Sequence, residues 1–260
     1  MGLPSFILPI MGKGGYLPLT KAWIAATGET DTTILNALNT FEAGLIANSL
    51  TGKFNALYPF VGGTSTKHSY NFINTSLYNL SFNGGWTHSA NGALPNGTNG
   101  YANTGIIPNS LLSLNSAHLS YYSRNNTNAG SDIGCLQTVP TRICRMEVRD
   151  VGLFRIGVND ASVITSANAS SLGYYLGTRT ASTARAIYKN GALANSDIVV
   201  STTLPTIEIF LGAGNVNGVA NGYTNRQCAL ASIGSGLTSG EISTLYTLIQ
   251  AFQTSLSRAV

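Results

Sequence analysis

The sequence predicts a mainly β protein, an antiparallel β-sandwich preceded by an arm and a helix and followed by a C-terminal helix. From Lys53 onward, beginning with KFNALYPFVGG, short apolar runs separated by turn residues recur to residue 234. One of them, RICRMEVRD at 142–150, alternates strictly: Cys144, Met146 and Val148 fall on one side. This period of two is typical of a strand with one buried and one wet face. Because no helical pattern separates the runs, an antiparallel sheet is favoured over a parallel α/β sheet.

Composition fits this fold class and excludes several functions. The chain has 260 residues, of which 43% are hydrophobic and only 9% charged, whereas a typical soluble domain has roughly 25% charged residues. The net charge of +4 comes from thinly spread side chains, so no dense basic stripe for a phosphate backbone is present in the sequence. We therefore expect no nucleic-acid partner, and no motif indicates a cofactor.

The three cysteines, Cys135, Cys144 and Cys228, match no zinc spacing and lie in apolar, strand-like segments. Three cysteines cannot all pair within one chain, so we expect free buried thiols that act as small hydrophobic side chains. Synthesis in a reducing cytoplasm follows from this interpretation.

Residues 1–28 are interpreted as an extended arm. The segment is apolar but is interrupted by Pro4, Pro9 and Pro18. Its apolar run is too short to span a membrane or to resemble a signal peptide. An exposed apolar arm tends to dock on a neighbouring chain, which makes the following side chains candidate assembly contacts: Phe6, Ile7, Leu8 and Ile10.

Two amphipathic helices flank the predicted sandwich, which we assign to residues 53–260. In the first, at 29–52, Ile34, Leu38, Phe41 and Leu45 share one face, and Asp31 can cap the start. This helix packs on the core or lies between subunits. The second begins at Thr238 and Glu241, which form a capping box, and its apolar face follows behind them. That face consists of Ile242, Leu245, Leu248, Ile249 and Phe252.

Several segments resemble, in their order, those of laminin-G-like (concanavalin A-like) jelly rolls. The segment PNGTNGYANTGIIPNSLLSLNSAHLSYYSRN resembles their opening strands, AIYKNGAL their Tyr-Asn-Gly hairpin, and IFLGAGNVNG with CALASIGSGLTSGEISTLY their closing strands and helix. The resemblance covers roughly residues 80–250 and implies a concanavalin A-like sandwich. The Asn-Gly pair of the hairpin predicts a type I′ turn.

A narrower resemblance is to structural proteins of tailed bacteriophages that infect Bacteroidetes-type bacteria. It rests on the first helix, on ALYPFVGGT, on FNGGWTHSANGALPNGTNGYANT and on IGSGLTSGEISTLYTLIQAFQTSL. It implies a non-enzymatic virion component of tail or head, made in the host cytoplasm, whose partners are copies of itself and other virion proteins. It assigns no catalytic or binding residue.

Catalytic patterns are weak in this sequence, so we expect no enzyme. Retaining glycoside hydrolysis needs two carboxylates about 5 Å apart, and the nearest pair in sequence, Glu147 and Asp150, is expected on opposite strand faces. His68, His88 and His118 are interpreted as surface or turn residues, and no Gly-x-Ser-x-Gly elbow accompanies them. Calcium prefers clustered oxygen ligands, whereas Asp132 and Asp160 are isolated candidates in the sequence, so we expect no metal site.

Glycan binding is the alternative function. Sugars offer CH faces and hydroxyl edges, so a binding site needs an aromatic ring with amides beside it. The loop NVNGVANGYTNR at 215–226 combines these groups, and Trp86 lies in a similar Asn- and Gly-rich segment. The candidate contacts are Trp86, Tyr223, Asn225 and Arg226. Aromatic residues that only fill the sandwich remain the competing interpretation, and no membrane partner is expected.

Overall fold

The computed structural model describes residues 15–260 and contains two β-sheets and five α-helices within them. The first nine strands are β1 (Phe54–Tyr58), β2 (Ser81–Asn83), β3 (Trp86–Ser89), β4 (Gly92–Pro95), β5 (Tyr101–Asn103), β6 (Ala117–Ser123), β7 (Ile133–Thr138), β8 (Thr141–Asp150) and β9 (Leu153–Asp160). The others are β10 (Ile164–Ala167), β11 (Gly173–Ala181), β12 (Ala184–Lys189), β13 (Ala192–Asp197), β14 (Phe210–Leu211), β15 (Gly214–Val216), β16 (Val219–Asn221) and β17 (Cys228–Gly234). The helices are α1 (Pro18–Thr27), α2 (Thr32–Ala47), α3 (Ser65–Ser69), α4 (Pro108–Leu111) and α5 (Ser239–Ser255), and a 3₁₀ turn spans Thr51–Lys53.

The strands form a sandwich. The first sheet has the order β13-β12-β11-β6-β17-β4-β3, and β1 also pairs with β17. The second sheet has the order β10-β9-β8-β7-β14-β5-β2, with the β15–β16 hairpin attached to β7. Among the described strands, β15 and β7 are parallel and every other pairing is antiparallel. The predicted mainly β sandwich is therefore confirmed.

Between the sheets lies a continuous apolar core. The alternation in β8 is as predicted, since Cys144, Met146 and Val148 are buried while Arg145 and Glu147 are only partly so. Full burial of one such large side chain contributes roughly 1.5–3 kcal/mol to stability. The three cysteines are buried and unpaired, which confirms their interpretation as small core residues.

A layer of helices covers the outer face of the first sheet. Leu38 and Leu45 of α2 and Leu245 of α5 join a second apolar cluster with sheet residues such as Leu230. The Phe41 and Phe252 rings stack with their centroids 5.0 Å apart, which fixes α2 against α5. The first predicted helix thus packs on the core of its own chain. No helix in residues 15–260 has the length and apolarity needed to cross a bilayer.

The predicted turn and caps form as their residues require. Asn190 and Gly191, between β12 and β13, both have positive φ (51° and 75°), as a type I′ turn demands. Asp31 accepts the Thr33 N–H at 2.8 Å. Thr238 and Glu241 complete the capping box of α5.

The prediction of an extended arm over residues 1–28 is wrong for its second half, because α1 occupies Pro18–Thr27. Its start has no local side-chain cap. Instead the Glu42 carboxylate, on α2, accepts the Leu19 and Thr20 N–H groups, each at 2.8 Å. A carboxylate from another element therefore satisfies donors that a helix start leaves open. The four candidate assembly contacts in residues 6–10 lie outside the described residues.

Candidate functional site

Arg226, one of the predicted sugar contacts, is buried and plays a structural part instead. Its side chain is fully buried and forms an ion pair with the equally buried Asp132. The same guanidinium donates to the carbonyl oxygens of Thr127 and Arg149, each at 2.9 Å. Because its charge and most of its donors are engaged inside the protein, Arg226 cannot contact a surface ligand. We correct that prediction.

Trp86, at the start of β3, lies at one edge of the first sheet and is half-buried. Its indole N–H donates to the carbonyl oxygens of Asn83 and Tyr101, at 3.1 and 3.2 Å. The ring packs edge-to-face with Phe82, with centroids 5.1 Å apart, and lies on Gly212. A Cβ at Gly212 would stand 2.8 Å from two ring carbons. The ring is therefore rigid, and only its outer part can meet a ligand.

The structure brings Tyr223 and Asn225 close to this tryptophan. The Thr224 N–H, between them, donates to the Gly212 carbonyl at 2.9 Å, and Gly212 is the residue on which Trp86 packs. Tyr223 is half-buried and Asn225 exposed. Neither side chain makes a hydrogen bond within residues 15–260, although the Asn225 carbonyl accepts from Asn125 at 2.9 Å. Their polar groups remain free for a ligand.

The turn at 96–100 completes this surface. The Asn96 Oδ1 accepts the backbone N–H groups of Thr98, Asn99 and Gly100, each at 3.0 Å. The Asn99 Oδ1 accepts from Asn96 at 2.8 Å and from the Gly85 N–H, beside Trp86, at 3.0 Å. Gly97 approaches Asn225 so closely that a Cβ on it would lie 3.1 Å from the Asn225 Cβ. We call this surface, formed by Trp86, residues 96–99, Tyr223 and Asn225, the loop face.

The loop face is uncharged. None of its side chains is acidic or basic, and the Arg226–Asp132 pair beneath it is neutral as a unit. Its chemistry consists of a fixed aromatic ring, a tyrosine and a set of amides, two of which are locked by an Asx-type turn. Such a surface can pack against an apolar face and exchange hydrogen bonds with hydroxyl groups.

The histidines differ from their predicted surface positions. His118 and His68 are buried, and His68 Nδ1 lies 2.9 Å from His88 Nδ1. Burial lowers the pKa of His118 to about 4, and burial together with nearby positive groups lowers the pKa of His68 to about 3. His118 Nε2 lies 2.9 Å from Ser232 Oγ. That Ser–His contact is sealed under the helices, with both residues fully buried, so no substrate reaches it.

The carboxylates that the sequence offered as catalytic or ion-binding candidates are paired with arginines. A β-bulge between Glu147 and Asp150 brings both to Arg155, at 3.5 and 2.7 Å, which corrects the expectation that they face opposite sides. Both carboxylates are thus ion-paired with the same guanidinium. Asp160, an isolated candidate ion ligand, is buried against Arg179 and Arg185, each at 2.6 Å. Within residues 15–260 no three metal-binding side chains cluster together.

Three grooves of the described residues lie away from the loop face. One groove of about 410 Å³ runs between α2 and α5 over Phe41 and Phe252. A second joins it at Thr33 and Ser255 and reaches Gly62 and Lys67. A third cleft lies beside β11–β13 at the opposite edge of the first sheet, and no periodicity or motif in the sequence singles it out.

Comparison with known proteins defines the fold. No family profile and no curated protein matches the chain. Among solved structures, the receptor-binding domain of a botulinum neurotoxin C/D mosaic serotype superposes with a TM-score of 0.54, at 14% identity, over 76% of this chain and 51% of that one. The binding domain of botulinum neurotoxin serotype D gives a TM-score of 0.51, at 11% identity, over 77% and 53%. The chain spans about half the length of these domains.

A sialidase, NanB from Streptococcus pneumoniae, superposes with a TM-score of only 0.40, at 18% identity, over 54% of this chain and 26% of that one. This similarity is too low to support a conclusion. At such identities, the neurotoxin domains show a shared sandwich fold and nothing about ligands.

Proposed function

We propose that this protein is a non-catalytic recognition module that binds carbohydrate through the loop face. The observation that carries the proposal is the rigid, half-exposed Trp86 beside the uncommitted amide of Asn225 and the pre-ordered 96–99 turn. A sugar ring presents CH groups on its faces and hydroxyls at its edges. It can therefore stack on the indole while its hydroxyls bond to the amides.

Pre-ordering supports this function energetically. Binding is weakened by each side chain that must be immobilised on contact, at about 0.5–1.5 kcal/mol. Trp86, Asn96 and Asn99 are already held by hydrogen bonds. Trp86 and the 96–99 turn thus lose little freedom when a ligand docks, and the cost of immobilisation falls on Tyr223 and Asn225.

The fold comparison is consistent with recognition. The neurotoxin structures that share the sandwich are described as binding and receptor-binding domains. A host-surface glycan is accordingly the ligand class that we propose for this chain.

The proposal is tested by calorimetric titration of purified protein with host-surface polysaccharides. We expect saturable binding that is reduced about tenfold or more in Tyr223→Ala and Asn225→Ala, since each removes direct contacts. Asn109→Ala, an exposed amide on α4, is the matched control and should bind as the unmodified protein does. Equal binding by all three variants would remove the loop face from consideration.

A structural role in a bacteriophage virion is the second candidate. Three of the four segments that carry the phage resemblance, α2, residues 56–64 and α5, come together around the joined grooves of the helical layer. The fourth, residues 82–104, contains Trp86 and the 96–99 turn of the loop face. An assembly surface at the grooves would be separate from the loop face, so one virion protein could serve both roles. We expect protease to cleave within residues 1–28 in the isolated protein and this segment to be protected in assembled particles. Equal cleavage in both would contradict this role.

A further inference from the structure

An uncharged groove runs along the surface of the helical layer between α2 and α5. Its volume is about 410 Å³, within the roughly 300–1,000 Å³ of ordinary binding pockets. The stacked rings of Phe41 and Phe252 form its floor, and Ala37, Leu248 and Ala251 form its apolar walls. None of the residues that line it is charged. We call this surface the helix groove.

Contacts between the two helices fix the shape of the helix groove. Leu248 lies so close to Gly44 that a Cβ on this glycine would stand 2.5 Å from Leu248 Cδ2. One turn further along, the centroids of the Phe41 and Phe252 rings are 5.0 Å apart. Ala251 beside them is exposed. The apolar surface is therefore preformed, and an occupant can dock without moving the helices.

The α2 rim of the helix groove offers hydrogen bonds to a docked backbone. Thr33, Asn36 and Thr40 follow one another along one face of α2 and are exposed. Their side chains make no hydrogen bond within residues 15–260. An extended peptide brings one N–H and one C=O per residue, and these groups need partners once they leave water. The helix groove therefore suits an extended, apolar and uncharged peptide segment.

One segment of this chain has that chemistry. Residues 5–10, SFILPI, contain four large apolar side chains and no charge. Pro9 disfavours a helical conformation at Leu8 and favours an extended one. The segment lies outside the described residues, which begin at Gly15. The place where the described chain begins shows which copy of the groove the segment can reach most directly.

The described chain begins on the far side of α2. The Leu17 N–H donates to Asn39 Oδ1 at 2.7 Å. At about 3.6 residues per turn, Asn39 faces away from the groove residues Ala37 and Thr40. To enter the groove of its own copy, the chain would have to pass half round a helix about 10–12 Å across. That path of roughly 16–19 Å would use nearly all of the about 20–22 Å that the six residues 11–16 can span. The groove of a neighbouring copy imposes no such stretch.

We propose that the helix groove binds residues 5–10 of a second copy of this chain. The apolar side chains of the segment cover the Phe41–Phe252 floor, and the α2 rim bonds to its backbone. Because the segment and the groove are different surfaces, the contact is heterologous and repeats from copy to copy, which closes a ring or extends a filament. The inference rests on the assembly role proposed above and is independent of sugar binding at the loop face.

The test is sedimentation velocity of the full chain over a series of concentrations. We expect the unmodified protein to associate reversibly. Ala251→Arg puts a long charged side chain into the groove, and Leu8→Asp puts a carboxylate into the docking segment. Each should weaken association about tenfold or more. Thr254→Arg, at an exposed position of α5 outside the groove, is the matched control and should associate as the unmodified protein does.

A mixture of the two variants identifies the contact. Ala251→Arg keeps its own residues 5–10, and Leu8→Asp keeps its groove, so an equimolar mixture should form a heterodimer that neither variant forms alone. A mixture that stays monomeric, or unchanged association in either single variant, would overturn the proposal.

A pure chain that stays monomeric at every concentration would overturn it as well. Faster cleavage within residues 1–14 in Ala251→Arg would in that case assign the segment to the groove of its own copy. Protection of residues 1–28 in particles, without self-association of the pure chain, would leave the assembly role in place with another virion protein as the partner.

Discussion

One buried arginine, Arg226, joins three separate segments at one end of the sandwich. It pairs with Asp132 and donates to the Thr127 and Arg149 carbonyls. Replacing it in Arg226→Met leaves the Asp132 charge buried without its partner. We expect the free energy of unfolding to fall by about 3–5 kcal/mol, measured by urea denaturation.

The matched control for this change is Arg155→Met, which breaks partly exposed pairs with Asp150 and Glu147. Exposed pairs contribute only about 0–1 kcal/mol, so this variant should remain close to the unmodified protein. If Arg226→Met were equally mild, the loop end would be held by contacts other than this ion pair.

The same residue shows how far the candidate site could be predicted from sequence. The amides and the tyrosine of residues 215–226 are readable as a polar loop with one aromatic residue. The sequence does not show which of them faces solvent, because side chains in a loop do not alternate between buried and exposed positions with a fixed period. Asn225 is exposed and its neighbour Arg226 is buried by a partner 94 positions away.

At the scale of elements, α1 depends on a carboxylate from α2. Glu42 is buried and accepts the Leu19 and Thr20 N–H groups and the Thr20 hydroxyl, each at 2.8 Å. In Glu42→Ala these three donors, two of them fully buried, lose their acceptor. We expect the free energy of unfolding to fall by about 2–4 kcal/mol, and hydrogen exchange at residues 18–27 to become faster.

Glu208→Ala serves as the control for that variant, because the Glu208 carboxylate accepts a single side-chain hydrogen bond, from Asn103 at 2.7 Å. Its effect should be near 1 kcal/mol or below. Unchanged hydrogen exchange in α1 of Glu42→Ala would mean that packing alone, through residues such as Trp23, maintains the helix.

Helices α2 and α5 were predicted from sequence and α1 was not, and the difference lies in how far along the chain the capping residue is. Asp31 and the Thr238–Glu241 pair cap their helices from within four residues, so the signal is local. The cap of α1 comes from more than 20 residues away. Its sequence has Pro18 at the first helical position and Gly28 just beyond the end, which are local helix signals, but the arm interpretation took Pro18 only as an interruption, and no capping side chain precedes it.

At the scale of the whole molecule, alternation in single strands predicted the sandwich but not the order of its strands. The first sheet places β17 between β6 and β4, which joins residues about 110 positions apart, such as Ser120 and Ser232. The distribution of functional surfaces follows from that order. The helices cover the outer face of the first sheet, and the loop face lies at the β3 edge of that sheet.

Burial of two histidines makes the stability of the whole protein sensitive to acid. The folded-state pKa values of His118 and His68, about 4 and about 3, lie below the ordinary value of 6.5. Between those values and 6.5 the unfolded chain takes up protons that the folded protein does not. The free energy of unfolding is therefore highest, as far as these two histidines are concerned, above pH 6.5. It decreases as the pH falls from 6.5 toward their folded-state pKa values.

We expect the free energy of unfolding, from urea denaturation at pH 7, 6 and 5, to decrease by up to about 1.4 kcal/mol per pH unit for each histidine. His118→Gln should lower this slope by about half, while His88→Gln, at a half-buried position, should change it less. Carboxyl groups with lowered pKa, such as Asp197 and Glu241, stay ionised in this range, so they do not produce the same slope. A flat profile from pH 7 to 5 would mean that the buried imidazoles accept protons without unfolding, which would require water to reach Ser232 beneath the helical layer.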